Sequence, residues 1–287
     1  MQKILVTGSN GQLGSEIRAL AGSYPQYEFI FTDLPELDIT NKPALDAFFS
    51  TKKVDFVINC AGYTAVDKAE SEPALAYLVN ATAPALLAQA AVKFHFLLVH
   101  ISTDYVFSGS KNEPYKETDP PDPVAIYGKS KLSGEQAILE SNASSLIIRT
   151  SWLYSSFGHN FVKTILHMAT ERDELKVVYD QVGTPTYAAD LATCILEILP
   201  RYQKQGTSIY NYSNEGCCSW YDFALAVVEM AGLRCGILPV TTNQYPTKAF
   251  RPPYSVLDKA SIKTDFNINI PHWKESLQRC IELLIKL

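Results

Sequence analysis

Residues 1–14 read MQKILVTGSNGQLG, and their pattern decides the fold. Ile4, Leu5 and Val6 form an apolar run without a polar break, as a parallel strand buried on both faces requires. Gly8, Gly11 and Gly14 follow at GxxGxxG spacing, and Leu13, Ile17, Leu20 and Ala21 then recur at helical spacing. The order is strand, glycine turn, helix. A glycine without Cβ lets the backbone turn sharply and approach a phosphate closely. The helix start then points free N–H groups and its positive dipole end at that phosphate. A glycine trio also reads as a plain tight turn; its place directly after a strand favours a dinucleotide site.

Working outward, Phe29–Asp33 is a second strand ending in an acid, nineteen residues beyond Gly14. A carboxylate there accepts hydrogen bonds from the adenine-ribose hydroxyls and repels the 2′-phosphate of NADP. No arginine follows within the next turn to offset that repulsion. The other reading of Asp33 is a solvated loop residue. Asp38 reads either as a cofactor-loop residue or as the N-cap of a helix from about residue 42. Val54–Cys60 is a third strand, and the small residues of Ala61-Gly62-Tyr63 at its end let a cofactor pass close to the backbone. Ser71 with Pro73 signals a helix start, and Pro84 kinks or restarts that helix. Phe96–Ile101 is the fourth strand and runs into Ser102–Phe107, placing hydroxyls where open α/β sheets bind ligands. A proline-rich loop over 108–126 delivers Tyr127-Gly128-Lys129-Ser130-Lys131 onto a new helix, and Leu146–Ile148 is the fifth strand.

This alternation predicts an α/β protein with a doubly wound parallel, Rossmann-type sheet. We assign residues 1–155 to a dinucleotide-binding domain that also receives parts of 176–213. Residues 156–287 form a smaller, interleaved C-terminal substrate lobe. In it the pattern predicts helices at 160–171 and from Asp190 to Leu199, a strand at 176–179, and a helix that Ser219 caps with Asp222. A last helix begins near Pro271.

The 287 residues are 47% hydrophobic and 19% charged, an ordinary globular composition able to bury a core. The net charge is −5 with no long basic run, which argues against nucleic acid or an anionic membrane as partner. Nothing in the sequence reads as the ~20 apolar residues of a membrane span. The six cysteines show no CxxC spacing and read as free thiols in apolar stretches. These features fit a soluble, cytoplasmic protein.

Tyr127 and Lys131 are four apart, so on a helix they share one face. A phenol has a pKa of about 10 and needs help to act near neutrality. A nearby ammonium favours the phenolate, and such a tyrosine protonates the oxyanion that forms when hydride reaches a carbonyl. Lys131 also suits the nicotinamide ribose, and Thr103 or Ser102 the same carbonyl oxygen. An exposed helix pair is the alternative reading of YxxxK.

The ordered set resembles the extended short-chain dehydrogenase/reductase superfamily, and more closely its dTDP-4-dehydrorhamnose reductases. The residues that carry the likeness are GSNGQLG (8–14), NCAGYTAVDKAESEP (59–73), NATAP (80–84), STDYVF (102–107), YGKSKLSGE (127–135), RTSWLY (149–154), GHNF (158–161), DQVGTPT (180–186) and Arg251-Pro252. The resemblance implies NADPH or NADH as cofactor and a dTDP-sugar substrate. It implies that the glycine turn with Gln12 and Leu13 holds the pyrophosphate, that Asp33, Asp38 and Ile39 lie near the adenosine, and that Ala61, Gly62 and Tyr63 line the cofactor. Thr103, Tyr127 and Lys131 match the catalytic triad. Thr103 and Asp104 would contact the sugar, Trp152 would pack against it or sit in the core, and Arg251 would pair with the diphosphate.

Some members of the family carry magnesium, Mg2+, at a homodimer interface held by glutamates. Glu16 matches one such position, but the other region reads Tyr187-Ala188-Ala189-Asp190. Phe250 stands where an arginine often precedes the RP pair. Two rival functions share this framework. One is a non-catalytic, dinucleotide-binding regulatory subunit of methionine adenosyltransferase; the other is a different nucleotide-sugar ketoreductase or an epimerase.

Overall fold

Six parallel strands form the centre of the computed structural model, which describes residues 1–203 and 205–285. They are β1 (Gln2–Thr7), β2 (Tyr27–Thr32), β3 (Phe56–Asn59), β4 (Leu97–Thr103), β5 (Ser145–Thr150) and an edge strand, Thr207–Asn211. Across the sheet the order is edge strand, β5, β4, β3, β1, β2, and every pairing is parallel. The chain leaves β1 for β2 on one side and returns to β3 on the other. The order therefore reverses at β1, and in an open sheet the ligand crevice lies outside the carboxyl ends at that reversal. The apolar runs read from the sequence match this burial, since β3 is buried at every residue and β1 from Ile4 to Thr7.

Six helices precede or separate these strands up to β5: α1 (Gln12–Leu20), α2 (Lys42–Thr51), α3 (Val66–Ala69), α4 (Pro73–Tyr77), α5 (Ala83–Phe94) and α6 (Ile126–Glu140). The cap of α2 is Asn41, whose side chain accepts from the Ala44 amide at 3.1 Å. Asp38 is not the cap: it folds back on Thr40, accepting from its amide at 2.9 Å and its hydroxyl at 2.7 Å. Likewise Ser71 does not cap α4; Glu72 occupies that position and makes no side-chain cap bond. Pro84 acts as the sequence implies. It has no N–H to return toward Asn80, and the helix widens into a π turn over Leu78–Thr82, where the Ala83 amide reaches back to the Leu78 carbonyl.

One expectation from the sequence is corrected here. Pro73–Phe94 is 22 residues long and apolar enough to cross a membrane by length and composition. In this structure the stretch is broken by the π turn, and α5 lies between α2 and α6, with Leu87, Ala88 and Ala91 in the core.

Residues beyond 155 divide between two cores. Helix Ala188–Ile198 lies against α1, and its Leu191, Ile195 and Ile198 join Ile4, Val6 and Ile17. Helices Phe161–Glu171, Trp220–Met230 and Trp273–Ile285 enclose a second core around Val162, Phe223 and Leu277. That core rests on a parallel pair, Glu174–Val178 with Gly236–Val240. Ser219 and Asp222 complete both halves of a capping box. All six cysteines are free, three of them buried. The proline-rich loop is anchored at Tyr115, whose amide donates to Val256 at 2.8 Å and whose carbonyl accepts from Asp258 at 2.8 Å.

Candidate active site

The glycine turn closes over the carboxyl ends of β1 and β3. Gly8 has φ +63°, and a Cβ there would come within 2.5 Å of the Ala61 amide nitrogen. A Cβ on Gly14 would come within 2.6 Å of the Gly8 carbonyl. No side chain caps α1, so its first amides stay open to an anion. Gln12 Oε1 is buried with no hydrogen-bond partner among the described residues. An uncapped helix start, a bare cradle and an orphaned acceptor fit a dinucleotide pyrophosphate. Gly11 and Gly62 are exposed beside this cradle, and Ala61 and Tyr63 are half-buried. The Leu13 and Ile39 side chains, by contrast, point into the core and leave only their backbone to a ligand.

Asp33 follows β2 and is tied to the turn. Its Oδ2 accepts from the Asn10 amide at 3.0 Å and its Oδ1 from the Leu34 amide at 2.9 Å. Asp38 is half-buried in its own turn with Thr40. Asn80, in the π turn, joins Tyr63 to α6: it accepts from the Tyr63 amide at 2.8 Å and donates to Ser130 Oγ at 3.0 Å.

At the end of β4, Thr103 and Asp104 are buried, and Thr103 Oγ1 donates to Asp104 Oδ1 at 3.0 Å. Burial pushes the Asp104 carboxyl up to about 6, and its Oδ2 has no partner among the described residues. Tyr127 opens α6, with its ring edge-on to Tyr105 at 5.4 Å. Burial pushes its phenol up to about 12, outweighing the Thr103 hydroxyl beside it. The sequence expectation that Lys131 lowers this phenol is therefore corrected: desolvation of the phenolate dominates. Lys131 is buried too, and burial pushes its ammonium down to about 8. Its Nζ donates to the Ile101 carbonyl at 2.6 Å.

Behind Lys131 lies a buried polar chain that the sequence reading missed. Lys131 Nζ is 3.3 Å from His100 Nε2, His100 Nδ1 is 3.0 Å from Asn59 Nδ2, and Asn59 Oδ1 accepts from Thr7 Oγ1 at 2.8 Å. The signal was present: Asn59 and His100 are polar residues inside otherwise apolar strands, and buried polar groups need partners. One turn further along the same face of α6, Glu135 is paired with Arg149 at 2.6 Å, both buried, and accepts from Ser102 Oγ at 2.5 Å.

Two outer residues have company of their own. Trp152 adopts φ +48°, uncommon for a bulky residue, and is half-buried rather than in the core. Its indole stacks on Trp220 at 3.6 Å and lies against Gly183, where a Cβ would come within 2.6 Å of the ring. Arg251 forks onto Asp67 at 2.7 and 3.2 Å, joining the 249–253 segment to α3. Asp67 is a further residue that sequence reasoning did not single out.

Magnesium does not fit the residues present. Glu16 is buried and accepts from Ser155 at 2.6 Å. Asp190 is committed to Arg279 at 2.6 Å, Ser276 at 2.5 Å and Asn214 at 2.8 Å. Among the described residues no group of three or more His, Cys, Asp or Glu could hold a metal ion.

Comparison with known proteins points one way. The family model described as RmlD substrate binding domain matches residues 1–285. A dTDP-4-dehydrorhamnose reductase of Aggregatibacter actinomycetemcomitans is 42% identical over 287 residues, covering 97% of this chain and 98% of the relative. Among solved structures, a dTDP-4-dehydrorhamnose reductase from Clostridium acetobutylicum superposes with a TM-score of 0.94 at 45% identity, covering 99% of this chain and 100% of that one. The enzyme of the same name from Bacillus anthracis, in complex with NADP, gives a TM-score of 0.94 at 38% identity with the same coverage. With these likenesses running nearly end to end, the chain belongs to the dTDP-4-dehydrorhamnose reductase family.

Proposed function

We infer that this chain is an NAD(P)H-dependent oxidoreductase that reduces the 4-keto group of dTDP-4-dehydro-L-rhamnose to give dTDP-L-rhamnose. The observation that supports the reading is that Thr103, Tyr127 and Lys131 are all buried where the start of α6 packs on β4, with the Thr103 hydroxyl beside the Tyr127 phenol and Lys131 Nζ on the Ile101 carbonyl, in a chain of this family. The reduced nicotinamide, when bound, supplies the hydride taken up by C4 of the sugar. Thr103 holds the keto oxygen by its hydroxyl. Tyr127 stays protonated at neutral pH, because burial holds it at about 12, and gives its proton to that oxygen as negative charge develops there. Lys131 then stabilises the phenolate left behind and binds the nicotinamide ribose.

The same reading places a sugar hydroxyl on the unpartnered Asp104 Oδ2, where it supplies the missing donor. Trp152 and Trp220 form an aromatic wall for the less polar sugar face. Arg251 exchanges Asp67 for the substrate diphosphate through its fork of donors. Residues 1–155 hold the coenzyme, and the second core carries the substrate lobe. A reducing compartment, the cytoplasm, suits both a reduced coenzyme and free thiols.

The test is oxidation of NADH and NADPH, followed separately by nicotinamide absorbance with enzymatically made dTDP-4-dehydro-L-rhamnose. We expect turnover with product formed in step, and Tyr127→Phe to retain less than about a tenth of it, as loss of a general acid implies. A phenylalanine variant near wild-type rate removes Tyr127 from the mechanism.

A further inference from the structure

Two side chains of opposite charge flank the outer lip of the glycine turn. Asp33 is one, held by the Asn10 and Leu34 amides. Arg18 is the other. It lies on the exposed side of α1 and reaches back over the turn, where Nη2 donates to Ser9 Oγ at 2.8 Å and lies 3.5 Å from Asn10 Oδ1. Its guanidinium carbon sits 4.7 Å from the centre of the Phe31 ring, the residue two before Asp33. Ser9 is itself fixed: it is buried, and its amide donates to the Thr32 carbonyl at 3.2 Å. The guanidinium is thus clamped by a buried hydroxyl on one side and an aromatic ring on the other, at the joined ends of β1 and β2. Among the described residues its Nε and Nη1 have no hydrogen-bond partner.

In this class of sheet the adenine ribose lies at the end of the second strand. An acid there binds a 2′-hydroxyl, and a nearby arginine accommodates a 2′-phosphate. We propose that Arg18 is the seat of the adenosine 2′-phosphate, so that Arg18 and Asp33 together let one pocket accept both NADPH and NADH. The free edge of the guanidinium offers donors in a fork that matches phosphate oxygens. Asp33 would repel that phosphate, but each of its oxygens already accepts a backbone N–H, which holds the carboxylate in place and leaves a lone pair for a ribose hydroxyl. The sequence hides this pairing, because Arg18 precedes β2 and comes to Asp33 only through the fold.

The proposal rests on the dinucleotide reading, and its test uses fragments that carry no nicotinamide. Titration calorimetry compares 2′-phospho-ADP-ribose with ADP-ribose on the full chain. Arg18→Gln is expected to weaken the phosphorylated fragment at least about tenfold, the scale of one charge-assisted contact, and to leave ADP-ribose within about twofold. Asp33→Asn is expected to do the reverse, weakening ADP-ribose more than its phosphorylated form. Arg18→Lys keeps the charge and is expected to retain part of the phosphate preference. Equal weakening of both fragments by Arg18→Gln would overturn the proposal, since it assigns Arg18 a purely structural part through Ser9; so would no change in either. Binding of neither fragment by the unaltered chain overturns the dinucleotide reading and this proposal with it.

Discussion

Lys131 Nζ lies 3.3 Å from His100 Nε2, and both side chains are buried where α6 packs on β4. An ammonium only donates, so a protonated Lys131 needs Nε2 as acceptor and the ring proton on Nδ1, whereas a neutral amine accepts from Nε2–H. The ring is therefore expected to change tautomer as Lys131 titrates, with the Asn59 carboxamide 3.0 Å from Nδ1 presenting whichever of its two groups matches. Burial holds His100 well below the usual range, so the ring stays neutral and free to accept.

The pH dependence follows from this pair. Lys131 titrates at about 8, with Glu135 favouring its charge and burial opposing it more strongly. Turnover that needs the ammonium is expected to fall above about pH 8. His100→Leu removes the acceptor, and loss of a charged hydrogen bond is expected to move that alkaline limb down by about one pH unit. His100→Gln keeps an acceptor and is expected to restore it. Rate–pH profiles of the three proteins check this.

Asp104 is expected to trade stability for function. Its carboxyl is pushed up to about 6 from an ordinary value of 3.8. The folded state therefore binds more protons between these values, and stability falls as pH rises through the window. At neutral pH the ionised group costs about 3 kcal/mol. Asp104→Asn is expected to raise Tm at pH 7 with the gain fading below about pH 4, while turnover drops. Thermal melts across pH measure it.

Glu135 and Arg149 pin α6 to β5, with Nη2 2.6 Å from Oε2 and almost no exposure. Arg149→Met strands a buried carboxylate and is expected to destabilise by about 3–5 kcal/mol. Adding Glu135→Leu removes the stranded charge and is expected to recover most of that loss. Denaturant midpoints of the single and double variants decide.

Arg251 is expected to act on substrate and not on coenzyme. Arg251→Met should raise KM for the nucleotide sugar about tenfold, the scale of one charged contact, with the coenzyme KM unchanged. Asp67→Asn, which loosens the guanidinium without removing it, should raise it less. Steady-state kinetics with each substrate varied in turn separate the two.

What was legible in the sequence was local. Gly8 and Gly14 announce their turn because only a residue without Cβ fits such an approach, and Pro84 announces the break in its helix because it lacks an N–H. Tyr127 and Lys131 are read from helical spacing together with their order in the chain, after the glycine turn and the hydroxyl-bearing end of the fourth strand. What was not legible depends on distant partners. His100 stands 41 residues from Asn59 and 31 from Lys131, so periodicity saw only the apolar strand around it. Arg251 and Asp67 are 184 residues apart, and nothing in either segment names the other. Asp38 and Asn41 are both good caps, and propensity does not choose between them; the register of α2 does. The direction of the Tyr127 shift was missed for a related reason, since desolvation is a property of the packed site and not of the spacing.

The most direct test of the account is isotopic. The chain is incubated with dTDP-4-dehydro-L-rhamnose and NADPH deuterated at the reactive nicotinamide carbon, and the sugar product is read by NMR. The account predicts one deuterium at C4 of dTDP-L-rhamnose. Unchanged keto-sugar, with the coenzyme shown by fluorescence titration to be bound, would contradict it and favour a non-catalytic dinucleotide-binding role.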